Sequence, residues 1–132
     1  MPDINYLAVL LAALSGFLLG GLWYSPALFA NKWMALSGQS EETLKSGSMP
    51  LIFGGAFLLN LVAALVLALF LGPLALPYAT LAGLAVGLCW VTASLGVNYL
   101  FERRPIGLWL INGGYFTIQF TMMGAIIGAM GR

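Results

Sequence analysis

Charge is confined to four places along this chain, and the long stretches between them carry none. Asp3 and Arg132 stand near the ends; Lys32, Glu41, Glu42 and Lys45 form one inner cluster, and Glu102, Arg103 and Arg104 the other. The uncharged stretches are residues 4–31, 46–101 and 105–131. A hydrocarbon layer of about 30 Å takes about 20 residues of helix at ~1.5 Å per residue, so the first and last stretches each hold one crossing. The middle one holds two, because "GPLALP" at 72–77 puts two prolines near its centre and reads as a hairpin. Four helices are expected, at about 4–24, 51–71, 78–101 and 107–130, in an all-α integral membrane four-helix bundle. With 61% of 132 residues hydrophobic and 7% charged, a fold of this size cannot cover its own apolar surface, so lipid is its solvent. No stretch is left over for a soluble domain, and residues 1–132 read as a single transmembrane domain.

The first helix reads as a retained anchor, since "MPDINY" has no Lys or Arg and the apolar run exceeds a signal core. Cys89 is the single cysteine and falls inside the third helix, so no intramolecular disulfide can form. Lys32, Lys45, Arg103 and Arg104 share one side of a four-span bundle, against Arg132 on the other. The positive-inside rule then places both termini outside the cytoplasm of a cell membrane.

"GLWYSPALFANKWM" at 21–34 ends the first span. Trp23 and Tyr24 suit the headgroup layer, and Ser25 is biased away from helical geometry by the proline that follows it. Ser25 is expected to cap a new short helix beginning at Pro26 and ending near Gly38, with Phe29, Trp33 and Leu36 on one face. That segment, within an interfacial stretch at about 26–48, should lie flat on the membrane. Ser40 is expected to cap a second turn, with Glu41 and Glu42 well placed against its dipole.

"INYLAVLLAALSGFLLGGLWYSPALFANKWM" (4–34), "SEETLK" (40–45) and "RRPIGLWLINGGYFTIQFTMMGAIIGAM" (103–130) together resemble a small membrane family catalogued only as a domain of unknown function, number 1761. The resemblance covers nearly the whole chain and is most specific at "GLWYSP". It implies four membrane spans and brings no activity, substrate or catalytic residue.

Helices in a bilayer associate through close packing and polar contacts, which favours small residues at their seams. Ala8, Ala12, Gly16 and Gly20 form such a stripe in the first helix, Ala64, Ala68 and Gly72 in the second, Gly83 and Gly87 in the third, and Gly124 and Gly128 in the fourth. The fourth helix has two non-lipid faces: Asn112, Tyr115 and Gln119 on one, Gly113, Thr117, Thr121, Gly124 and Gly128 nearly opposite. One face is assigned to the chain's own helices and the other to a second copy, so a homo-oligomer is expected. Counting inward from the span ends puts Ser15, Asn60, Thr92 and Gln119 near the midplane, with Asn60 and Gln119 pairing because an unpaired amide is costly in hydrocarbon.

A second cluster is expected near the cytoplasmic surface. Gly87, Trp90, Ser94 and Asn98 are read as one face of the third helix leading toward Arg103 and Arg104, where Tyr24, Ser25, Asn112 and Tyr115 converge. As a site it would suit a lipid headgroup or another small polar or anionic molecule.

With no ionisable residue inside any span, proton coupling is not expected. With no histidine and one cysteine, neither a metal centre nor a cofactor is called for, the acids have no partner implied by spacing, and the chain reads as no enzyme. Any activity should vary little between about pH 6 and 8. Basic tracts for nucleic acid are missing. Two readings remain: a non-catalytic membrane protein assembled with itself or a partner, or a small channel, transporter or binding protein for a neutral or anionic molecule.

Overall fold

The computed structural model describes residues 3–131 and is all-helical, with no strand among them. Four segments are long and apolar enough to cross a membrane: Tyr6–Trp23, Met49–Leu71, Leu76–Glu102 and Ile106–Met130. The first is α1, capped by the Asn5 side chain, which accepts from the Ala8 amide at 3.1 Å. The second, α4, starts at Met49 because the Ser48 hydroxyl caps it and Pro50 suits its first turn. The third comprises α5 (Leu76–Ala85), a π-helical stretch (Val86–Thr92) and α6 (Ala93–Glu102). Pro77, expected in the hairpin, lies instead in the first turn of α5, where its missing N–H has no cost. The last is α7, Ile106–Met130.

Between α1 and α4 lie two short helices, α2 (Ala30–Ser37) and α3 (Glu41–Lys45). The expected helix start at Pro26 with Ser25 as its cap is not what forms. Residues 26–29 are a turn, the Ser25 hydroxyl donates back to the Leu22 carbonyl at 2.7 Å, and α2 begins four residues later. The Trp23 and Phe29 rings pack at 4.8 Å, and the Phe29 amide donates to the Trp23 carbonyl at 3.2 Å, which folds the chain back before a helix can start. Gly38 ends α2 in the left-handed conformation (φ 80°). Ser40 caps α3 in a reciprocal capping box with Thr43.

α7 runs through the middle of the bundle, and both of its non-lipid faces are used within the chain. On one side Tyr115 and Gln119 pack on Gly16 and Gly20 of α1. On the other, Gly113, Gly124 and Gly128 abut Thr92, Ala79, Gly83 and Leu76. The second face therefore needs no second copy to cover it, and the expected homo-oligomer loses the surface on which it rested.

The core is densest toward the termini and the 72–75 hairpin, here called the hairpin end. Ala12, Ala13, Ala64, Ala68, Ala79, Met123 and Ile127 are all at most 4% exposed, because small residues let the helices close up. At the opposite, loop end, α4 carries Phe53 and Phe57, which meet Phe17 of α1 edge-on at 6.0 and 5.8 Å. Bulky rings in place of alanine hold α4 off, and the bundle opens there.

Candidate functional site

A chain of hydrogen bonds ties three spans together at the loop end. Tyr24, just past α1, donates from its hydroxyl to Asn112 Oδ1 at 2.6 Å, and Asn112 Nδ2 donates to the Tyr99 hydroxyl at 2.7 Å. The Tyr24 ring also meets Tyr115 at 5.5 Å and Trp33 of α2 at 6.0 Å, both edge-on. One turn deeper, the Tyr115 hydroxyl donates to the Gly16 carbonyl at 2.8 Å. That approach depends on Gly20, where a Cβ would stand 3.3 Å from the same hydroxyl. Two indoles brace the arrangement: Trp23 Nε1 donates to the Ile111 carbonyl (2.9 Å) and Trp109 Nε1 to the Thr92 carbonyl (2.8 Å). Deeper still, Gln119 Nε2 donates to Asn60 Oδ1 at 3.3 Å.

Beside this network two adjoining cavities, of about 650 and 700 Å³, share Tyr24, Ile52, Phe53, Tyr115 and Phe116 and make one cleft between α1, α4 and α7. Its deep part runs past Phe17, Gly20, Gly21 and Ala56 to Asn60. Its outer part lies under α2 and α3, against Pro26, Trp33, Met34 and Leu44, with Glu41 the single charged residue on its wall among the described residues. Ile52, Phe53 and Leu59 on its rim are exposed, so it opens sideways to where acyl chains lie. Aromatic rings, neutral amides and phenols can hold an uncharged molecule with a long apolar part. Among the described residues no group of His, Cys, Asp or Glu could hold a metal ion.

The sequence-predicted site residues divide. Tyr24, Asn112 and Tyr115 come together as expected; Ser25 caps its own turn. Arg103 is exposed in a left-handed conformation (φ 58°), and Arg104 pairs with Glu102 at 3.1 Å beneath the Tyr99 ring. Arg104 lines a separate notch of about 190 Å³, so neither arginine reaches the cleft. Among the described residues an anionic ligand has no cation there to meet. Arg132 lies outside the described residues.

Asn98 is exposed, as are Trp90 and Ser94; of the face assigned to the third helix only Gly87 points inward. The π stretch is the reason. It inserts one residue, which turns everything after it by about 100°. The contact stripe runs Ala79, Gly83, Gly87, then Thr92, Gly96 and Tyr99, with a five-residue step where an α-helix would take four. Tyr99, missed by counting, therefore stands where Asn98 was expected. Of the midplane residues, Asn60 and Gln119 pair. Thr92 bonds the Gly113 carbonyl (2.9 Å) and Thr117 (3.0 Å), the latter two residues or about 3 Å from Gln119 along α7. Ser15 bonds back to the Ala12 carbonyl at 2.7 Å.

This register is testable. Asn112→Leu removes the partners of two phenols and should lower stability by about 1–3 kcal/mol in detergent unfolding, whereas Asn98→Leu should stay within about 0.5 kcal/mol. Equal losses would contradict the π-shifted face.

No curated protein and no solved structure matches this chain. One family model does, and it spans residues 7–128, from the first turn of α1 nearly to the end of α7. That match covers all four crossings, the elbow at Tyr24 and the polar face of α7 alike. The chain is a multi-pass membrane protein belonging to the family described as Protein of unknown function (DUF1761).

Proposed function

We propose that this is a non-catalytic protein of the cell membrane that binds a small neutral molecule dissolved in the bilayer, in the cleft between α1, α4 and α7. The observation that carries this reading is the cleft itself: it is continuous from the interfacial helices to Asn60, open sideways, walled by aromatic rings and lined with neutral hydrogen-bonding groups. Self-assembly is less well supported, because α7 spends both its polar and its small-residue faces inside the chain. Absence of catalysis accords with the placement of every charged side chain at the membrane boundaries.

Gly21 lines the deep cleft, and a Cβ there would meet nothing within 4 Å. Gly21→Leu should therefore fill the cleft without disturbing the bundle. Native mass spectrometry from mild detergent is expected to show wild-type protein retaining a small-molecule adduct that Gly21→Leu lacks. Gly54→Leu, also in open space but outside the cleft, should retain it. An adduct equally abundant in all three would sink the proposal.

Both termini are proposed to face away from the cytoplasm, since the inner basic residues all lie at the loop end. In a Cys89→Ala background, an impermeant thiol reagent added to intact cells should label Asp3→Cys and spare Lys45→Cys. The reverse pattern would invert the protein.

A further inference from the structure

We infer that the molecule in the cleft enters polar end first and that this end is a neutral hydroxyl, held between Asn60 and Tyr115 near the bilayer midplane. The inference rests on the cleft being a binding site and concerns what it recognises. Tyr115 gives its single hydroxyl hydrogen to the Gly16 carbonyl, and Tyr24 gives its own to Asn112. Both phenol oxygens can therefore only accept from a ligand. Asn60 takes the Gln119 hydrogen on its Oδ1, and of its two Nδ2 hydrogens one faces the Tyr115 hydroxyl oxygen, which leaves the other as a donor on the same wall. A carbonyl or ether could use Asn60 but not the phenols, and an ammonium the phenols but not Asn60. A hydroxyl uses both.

A second observation points the same way. Gln119 is 1% exposed, and its Oε1 is buried without a hydrogen-bond partner. An unpaired carbonyl is costly in hydrocarbon, so the amide pair behind the deep end of the cleft, of which Asn60 alone lines it, is one donor short. A charge is unsuited to this depth, where among the described residues no Asp, Glu, Lys or Arg lines the cavity. The apolar body would lie along Phe17, Phe53 and Phe116 toward the exposed rim.

The test compares tritiated 1-dodecanol, its methyl ether and dodecanoate, measured as probe retained by the detergent-solubilised full chain on gel filtration, with Gly21→Leu as background. Dodecanol is expected to be retained about tenfold better than the ether, the worth of one well-made hydrogen bond. Tyr115→Phe should bring that ratio within about twofold, and Asn60→Leu provides a second reading should one variant fold poorly. Equal retention of alcohol and ether above background would overturn the hydroxyl while leaving the cleft as a binding site. Stronger retention of dodecanoate would overturn neutrality. If no probe exceeds the Gly21→Leu background and that variant also keeps the wild-type adduct, the cleft reading falls together with the hydroxyl.

Discussion

Gly83→Leu and Gly124→Leu are each expected to leave no folded protein. A Cβ on Gly83 would run into the Phe120 carbonyl oxygen and stand 3.2 Å from the Gly124 Cα; one on Gly124 would run into the Ala79 carbonyl oxygen and stand 3.2 Å from the Gly83 Cα. These obstacles are helix backbone, so no rotamer change relieves them. The third span and α7 would have to part along their whole length, taking Gly87 off Phe116 and Thr92 off Gly113. In water the hydrophobic effect would pull such helices back together, but lipid tails are as apolar as the seam, and nothing but fit and hydrogen bonds holds it. Overpacking a core usually costs about 1–3 kcal/mol; Gly83→Ala already sets its Cβ against backbone and should reach the top of that range, and leucine should exceed it. The measurement is folded yield and a single sharp gel-filtration peak in mild detergent. A Gly83→Leu protein that purifies and melts like wild type would refute the close approach.

Deleting Cys89 should be tolerated, whereas deleting Leu81 should abolish folding. Both residues are exposed apolar side chains on the third span, so neither loses much contact of its own. They differ in what their removal does to register. Cys89 lies in the π stretch, and without it the steps from Gly87 to Thr92 to Gly96 become four and four, which a plain α-helix satisfies. Leu81 lies in regular helix, and its loss swings Ala79 about 100° away from Gly128 and Gly124, which it touches. Thermal unfolding of the two deletion proteins in detergent decides the matter. A Cys89 deletion as damaging as the Leu81 deletion would mean that the widened turn is required for itself rather than as an inserted residue.

Much of this protein can be read before its structure is known, and the places where reading fails share a cause. The four crossings, the Asn60–Gln119 pair and the meeting of Tyr24 with Asn112 and Tyr115 all follow from counting inward from charged boundaries along regular helix. Asn98 faces outward and Tyr99 inward because a count along the third span as α-helix misses the residue inserted in Val86–Thr92. No proline lies within that stretch, and nothing in its composition marks the extra residue. What could have raised suspicion is Trp109, whose indole needs an acceptor in hydrocarbon and finds the Thr92 carbonyl at the end of the widened turn. The error at Ser25 is of a different kind: a Ser-Pro pair is a sound local signal, overridden by the packing of Trp23 on Phe29.

By itself the sequence determined that the chain lives in a bilayer, how often it crosses, and which residues must sit at the boundaries, because charge and hydrocarbon exclude each other whatever the neighbours do. Only the tertiary structure decided which faces meet: that both non-lipid sides of α7 are filled within one chain, that Tyr99 rather than Asn98 joins Asn112, and that Phe17, Phe53 and Phe57 prop α4 away to leave a cleft. Burial in lipid depends on each residue alone and adds along the chain. Packing depends on pairs of surfaces, and a single inserted residue is enough to turn one of them out of reach.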